Sequence, residues 1–159
     1  MEIYILRHGR AEAAAASGAD ADRALTEPGR RALRATLERA RAAGMAPSLI
    51  LTSPYRRAIE SAEIAAGVLG YEGAVLRSES LVPHASPIQV WDELRSRAGE
   101  SAVLLVGHEP LVSRLLSHVL DAPSLRADIG AGCLVLVRED RLRPHPSGEL
   151  KWMLAPPLA

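Results

Sequence analysis

The sequence predicts an α/β domain on a largely parallel sheet, and three observations carry that expectation. Short apolar runs bounded by turn residues recur at 3–6, 49–51 and 102–106. A polar turn follows each run, and then a segment whose apolar residues repeat at helical spacing. The run AVLLV at 102–106 is apolar at every position, as a strand covered on both faces must be.

The elements follow in chain order. Ile3 to Leu6 is a buried strand that stops at Arg7-His8-Gly9. Residues 11 to 22, rich in Ala but broken by Ser17, Gly18, Asp20 and Asp22, read as a loop. Thr26 is an N-cap, with Glu27 and Pro28 in the first turn of a helix whose inner face carries Leu33, Leu37 and Ala40; Gly44 stops it. Leu49 to Leu51 is the second strand. Ser53 and Pro54 are expected to open the next helix as N-cap and first residue, with Tyr55, Ile59, Ala62, Ala66 and Leu69 as its apolar stripe and Gly70 as its end. Val75 and Leu76 form a minor strand. Pro87 opens a third helix with Ile88, Trp91 and Leu94 on one face. Ala102 to Val106 is the central strand, and Pro110 opens a fourth helix carrying Leu111, Leu115 and Val119. Cys133 to Val137 is a further strand. Leu150, Trp152 and Leu154 alternate with Lys151 and Met153, which gives a half-buried final strand after a loop containing Pro144, Pro146 and Gly148.

A length of 159 residues and an apolar content of 48 % suit one domain, 1–159, with one core. The formal net charge is zero, which argues against a nucleic-acid or membrane-surface partner. Nearly all basic residues are Arg, with Lys151 the one Lys, and Phe is absent; this reads as composition bias rather than a basic binding patch. Cys133 is the single cysteine, so no intramolecular disulfide forms, and its apolar context makes it a buried small hydrophobe. No run approaches the 18 apolar residues of a spanning helix. Strand-like residues from Ile3 leave no room for a secretory signal, so the cytoplasm is the expected location.

Chemistry collects where strands end. Arg7-His8-Gly9-Arg10, Thr52-Ser53-Pro54 with Arg56-Arg57, and Gly107-His108-Glu109-Pro110 each follow a strand. In open α/β sheets, ligands bind beyond the carboxyl ends of the strands. If these strands are parallel neighbours, two histidines and several arginines meet in one crevice. Guanidinium forks match phosphate oxygens, and a helix start near Ser53 adds backbone N–H donors and a positive dipole end. A neutral imidazole can attack phosphorus, and with an ordinary pKa of about 6.5 it is largely neutral at pH 7. Gly9 lets backbone approach a ligand closely.

These motifs resemble the histidine phosphatase superfamily, the phosphoglycerate mutase-like fold. L-R-H-G at 6–9 resembles its first signature, and R-A-L-T-E-P-G at 23–29 the segment before its first helix. S-P-Y-R-R-A-I-E-S-A at 53–62 and V-G-H-E-P at 106–110 resemble its second and third motifs; W-M-L-A-P at 152–156 resembles the end of its short SixA subgroup. The resemblance implies a three-layer sandwich: a mostly parallel sheet with one antiparallel strand, and helices on both faces. It implies that His8 is the nucleophile and forms a phosphohistidine intermediate. Arg7 and Arg57 would bind the phosphoryl oxygens, with Arg56 facing solvent, and His108 would line the pocket and support developing charge. No metal or cofactor is implied, because cationic side chains take that electrostatic role. Water then hydrolyses the intermediate.

Two departures matter. Many members place an acidic proton donor in a stretch comparable to Leu81-Val82-Pro83-His84, where this chain has no carboxylate. SixA-like members, known as protein phosphohistidine phosphatases, share the lack; a phosphoramidate nitrogen leaves as a neutral group once protonated, whereas an alkoxide needs a donor. Glu79 and His84 lie near enough in sequence to serve as donors. Arg10 stands where many relatives carry another polar residue, so its role is open.

Other readings stand beside these. Thr26 is a cap before it is a ligand, Ser53 is an N-cap first and a phosphate contact second, and Arg23 is divided between surface and site. His84, on a loop, is a lesser site candidate; His118 and His145 are structural or solvated. The leading function is hydrolysis of phosphohistidine on a small protein, such as a phosphotransfer domain or phosphocarrier, with inorganic phosphate as product. The alternatives are a small-molecule phosphomonoesterase and a non-catalytic phosphate-binding module. Activity is expected to fall as pH drops through the pKa of His8, since a protonated imidazole has no lone pair to attack with.

Overall fold

Residues 1–157 are described in the computed structural model of the protein. Six strands alternate with four helices: β1 (Glu2–Arg7), α1 (Glu27–Ala42), β2 (Leu49–Thr52), α2 (Arg56–Leu69), β3 (Val75–Arg77), α3 (Pro87–Ser96), β4 (Ala102–Gly107), α4 (Leu111–Val119), β5 (Leu134–Arg138) and β6 (Glu149–Leu154). The strands form one sheet in the order β3-β2-β4-β1-β5-β6. β3, β2, β4 and β1 are parallel, and β5 runs against both β1 and β6. The expected mostly parallel sheet with one reversed strand is therefore the observed one.

Alternation along the strands divides the core into two layers. Ile3, Ile5, Val103 and Leu105 face α3 and α4, where they meet Trp91, Leu94, Leu111 and Leu115. Tyr4, Leu6, Leu104 and Val106 face the other way, onto Leu33, Leu37, Ala58 and Ala62 of α1 and α2. β4 sits between β2 and β1 and is buried along its whole length, as its unbroken apolar run requires. Each fully buried Leu or Ile contributes roughly 2 kcal/mol through burial, so the two layers together dominate the stability of the sandwich.

Capping follows the sequence at most helix ends. The Thr26 hydroxyl accepts from the Gly29 N–H, Ser86 and Gln89 make a reciprocal capping box ahead of α3, and Gly70 ends α2 in the left-handed region at φ 65°. Residues 11 to 22 are loop, closed by a 3-10 turn at Asp20–Asp22 and an isolated bridge between Ala11 and Leu25.

Three expectations need correction. Ser53 is not the N-cap of α2; the cap is Tyr55, which makes no side-chain capping bond, and the helix begins at Arg56. The Ser53 hydroxyl is instead drawn toward His108, and with it goes the expected helix start at Pro54. The buried face of α2 is Ala58, Ser61, Ala62, Ala65 and Val68, the side packed on the α1 layer of the core, so Ile59, Ala66 and Leu69 are only partly covered. On α3, Ile88 is 60 % exposed and Val90 takes the inner position beside Trp91 and Leu94.

Register aligns the carboxyl ends of three strands. Arg7 pairs with Gly107 and Thr52 with Val106. The next residue in each chain continues the ladder: the His8 N–H donates to the Gly107 carbonyl (3.0 Å) and the Ser53 N–H to the Val106 carbonyl (3.0 Å). His8, Ser53 and His108 are thereby set side by side at one edge.

Candidate active site

A cavity of about 420 Å³ opens at this edge, lined by Arg7, His8, Arg10, Asp20, Arg23, Arg57, Pro83, His108 and Glu109 with Ala11 and Ala131. His8 is 8 % exposed and His108 1 %, and their ring centroids are 4.9 Å apart. The two histidine motifs, 100 positions apart in sequence, meet here because β1 and β4 are neighbours.

The partners of His8 determine where its proton sits. Nδ1 lies 2.7 Å from the Gly9 carbonyl, which can only accept, so Nδ1 carries the hydrogen and donates. Nε2 lies 3.2 Å from Nε of Arg57, which can only donate, so Nε2 keeps its lone pair. Burial pushes the His8 pKa down to about 4; the Gly9 bond opposes that shift, and the guanidinium groups of Arg57, Arg7 and Arg23 reinforce it. His108 is pushed down as well, by burial first and then by His8 and Arg57. Both rings are neutral at pH 7, and the unprotonated Nε2 of His8 faces the guanidinium of Arg57.

Arg57 enters from the first turn of α2 and is 4 % exposed. Its Nη1 donates to the Asp20 backbone carbonyl (2.8 Å), its Nη2 to the Asp20 carboxylate (3.1 Å), and its plane lies over the Tyr55 ring at 5.1 Å. Ser61 ties this turn to the loop after β1: its hydroxyl donates to the Arg57 carbonyl (2.7 Å) and accepts from the Gly9 N–H (3.0 Å). Arg7 donates from Nη1 to the Ile129 carbonyl (2.8 Å), and its buried Nε has no protein partner. Nδ1 of His108 is also buried without a protein partner. Two buried nitrogens left without protein partners beside several arginines suit a site for a tetrahedral oxyanion.

The remaining candidates divide. Arg23 lines the cavity, pairing with Asp20 through Nε (2.8 Å) and donating from Nη1 to the Glu12 carbonyl (2.8 Å). Arg10 lines it too and is exposed. Ser53 touches the site through its 2.7 Å bond to His108 Nε2. Thr26 caps α1 and is not among the lining residues. Gly9 faces α1 rather than the cavity: a Cβ there would press on the Gly29 carbonyl (3.3 Å), Leu25 and Leu33. Its small size serves the docking of α1, not the approach of a ligand. Arg56 is exposed and paired with Glu60. His84 and Glu79 are exposed and do not line the cavity; Pro83 does.

Asp20, Glu109 and Tyr55 escaped the sequence reading. Asp20 sits in a loop with no periodicity. Burial pushes its carboxyl up, but hydrogen bonds from Arg23 and Arg57 outweigh that and hold it below the ordinary carboxylate range. Glu109 could have been suspected from its place beside His108. Tyr55, read as a core residue, instead presents its ring edge to His108 at 5.0 Å.

The comparisons with known proteins agree with this geometry. The protein histidine phosphatase SixA, solved with tungstate, is 24 % identical; the match covers 98 % of this chain and 97 % of that one with a TM-score of 0.88. A SixA protein from Agrobacterium tumefaciens, provisionally named a phosphohistidine phosphatase, is 22 % identical over 98 % of both chains with a TM-score of 0.80. The mycobacterial glucosyl-3-phosphoglycerate phosphatase is 17 % identical over 94 % of this chain and 96 % of that one with a TM-score of 0.71. These likenesses establish the shared fold. No curated protein matches the chain closely enough in sequence to count as a relative. The family model of the histidine phosphatase superfamily (branch 1) matches residues 3–81. That stretch holds His8, Arg23 and Arg57, and with the fold it places this chain in the histidine phosphatase superfamily.

Proposed function

We propose that the protein is a phosphatase that removes the phosphoryl group from a phosphohistidine carried on a small protein. The observation that carries this reading is the state of His8, whose Nε2 lone pair is presented to a cavity walled by Arg7, Arg23 and Arg57. Nε2 attacks phosphorus and a P–N bond forms on His8. The substrate's own P–N bond breaks, and its imidazole leaves as a neutral ring with a proton taken from solvent. Arg7 and Arg57 hold the equatorial oxygens through both steps. Water then attacks phosphorus, the His8–phosphorus bond breaks, the proton of the water passes to a carboxylate or to solvent, and inorganic phosphate departs.

The substrate class rests on the leaving group. The two donors suggested by the sequence, His84 and Glu79, lie outside the cavity wall, which suits a leaving nitrogen better than an alkoxide. The near-full-length likeness to SixA supports the same choice. Glu109 favours a second reading: a carboxyl in the wall beside His108 can serve as a donor for a small phosphomonoester.

Incubation with a phosphohistidine-bearing protein and, separately, with sugar and glycerate phosphates distinguishes the two. The first reading expects faster release from the protein and an acid-labile, base-stable phosphoprotein that disappears in His8→Ala. Faster turnover of the monoesters would favour the second. Absence of both phosphate release and a phosphoenzyme would leave only phosphate binding.

A further inference from the structure

Ser53 follows β2 directly and has no exposed surface, while His108 follows β4 and is 1 % exposed. Their 2.7 Å bond joins Ser53 Oγ to His108 Nε2, and either atom can in principle carry the proton. The other partners of the hydroxyl decide. A serine hydroxyl has one proton and two lone pairs. The Tyr55 N–H donates to Ser53 Oγ (3.2 Å) and occupies one lone pair. Among the described residues, His108 Nε2 is the acceptor placed to take the hydroxyl proton. If the ring donated instead, that proton would be left buried without an acceptor, at a cost of about 1–3 kcal/mol. Ser53 is therefore the donor and Nε2 the acceptor. The ring's one hydrogen then lies on Nδ1, the buried nitrogen that has no protein partner.

We infer that Ser53 is a positioning residue that locks His108 in the Nδ1–H tautomer, so that Nδ1–H is the donor offered to a phosphoryl oxygen held against His8. The lock is built into the backbone: Ser53 is fixed to β4 by its own N–H to the Val106 carbonyl (3.0 Å), and Tyr55 holds the hydroxyl from the other side. An uncharged donor suits its place. An imidazolium 4.9 Å from His8 would add charge to a wall already holding four guanidinium groups, whereas a fixed N–H dipole needs no reorganisation as charge develops on the oxygens. The ligand in this inference rests on phosphoryl transfer at His8; the tautomer does not.

Long-range ¹⁵N–¹H correlation spectra of the labelled protein at pH 7, assigned against His108→Gln, read the tautomer directly. The wild type is expected to show the proton of His108 on Nδ1, and inorganic phosphate is expected to shift that signal. Ser53→Ala should mix the two tautomers and lower kcat for an aryl phosphate about 10-fold, with KM changed less than threefold. Ser53→Thr, which keeps the hydroxyl, should restore the Nδ1–H form and most of kcat. A wild-type proton on Nε2 overturns the inference, as does a Ser53→Ala protein with unchanged tautomer and kcat, or an Nδ1–H signal that phosphate leaves in place. The wild-type spectrum decides even if Ser53→Ala fails to fold. An Nδ1–H signal together with no turnover of any phosphate would overturn the proposed function while supporting the lock.

Discussion

Nε of Arg57 donates to Nε2 of His8 across 3.2 Å, so one guanidinium both selects the neutral ring and engages its lone pair. A phosphoryl group entering the cavity competes for that donor with better acceptors, the charged oxygens, and so frees the nitrogen for attack. Arg57→Ala is expected to lower kcat/KM by about 100-fold or more, with weaker inhibition by inorganic phosphate, because its contacts strengthen as charge develops. Arg57→Lys should recover only part of this, since an ammonium is a point charge without the planar fork. Steady-state kinetics check the claim; Arg57→Ala within threefold of wild type would contradict it.

The pH profile follows from the same wall. Burial, and after it the three guanidinium groups, push the His8 pKa down to about 4. The proposed nucleophile is the neutral ring, so a lowered pKa is expected to extend activity toward acid. The acid limb of kcat/KM for an acid-stable monoester is expected near pH 4 rather than at the ordinary histidine value of about 6.5. Arg57→Ala removes a positive neighbour and should move the limb to higher pH. A wild-type limb at pH 6 to 7 would show that His8 titrates as an exposed imidazole.

Stability has a matching dependence with the opposite consequence. His8 and His108 both titrate lower in the folded protein than in the unfolded chain. As pH falls below about 6.5 the unfolded chain takes up protons that the folded protein refuses, so stability declines from there toward pH 4, by roughly 1 kcal/mol per pH unit per histidine. Thermal melts at pH 7, 5.5 and 4.5 should show the decline, with a shallower one in His108→Gln. Added phosphate should flatten it, because an anion in the cavity favours the protonated rings. Equal melting temperatures across this range would contradict both shifts.

The sheet and half of the site were legible because their signals are local. Unbroken apolar runs marked β1, β2 and β4, and polar residues just past them marked the cavity, since parallel strands bring their carboxyl ends together. What the sequence could not show depends on tertiary partners. Ser53-Pro54 has the composition of a helix start, yet the Ser53 hydroxyl is bonded to His108 and two more residues stay outside α2. Gly9 read as a ligand approach because it follows His8; only the packing of α1 reveals what presses on it. Glu60 carries no local signal at all, yet it is 9 % exposed and paired with both Arg30 and Arg56 across two elements.

Two glycines separate packing from propensity. A Cβ on Gly29, in the first turn of α1, would run into the Arg10 carbonyl oxygen and lie 3.0 Å from the Arg10 Cβ. Gly29→Ala should therefore push α1 off the loop that follows His8 and destabilise by about 1–3 kcal/mol. Gly67, on the exposed face of α2, has nothing within 4 Å of such a Cβ. Gly67→Ala should stabilise by about 0.5–1 kcal/mol through helix propensity and a less flexible unfolded chain. Urea denaturation of the two variants tests both signs, and a Gly29→Ala protein as stable as wild type would mean that α1 can shift without cost.

At Asp20 the cavity wall works against its apparent ligand. Its carboxylate lies 2.8 Å from Arg23 Nε and 3.1 Å from Arg57 Nη2, and holds a negative charge where a phosphate dianion would seek the same donors. Its side chain is 60 % exposed, so the ion pairs contribute little to stability. Arg57 also keeps its bond to the Asp20 backbone carbonyl, which a change of side chain leaves in place. The charge then acts mainly on the ligand, weakening phosphate binding and so favouring product release. Asp20→Asn retains an acceptor for Arg57 and removes the charge. It is expected to tighten inorganic phosphate binding about 3- to 10-fold by calorimetry, the scale of one partly screened charge near the site, with the melting temperature almost unchanged. Weaker phosphate binding in Asp20→Asn would mean that the carboxylate's chief effect is to aim Arg57, and that its repulsion of the ligand is the smaller of the two.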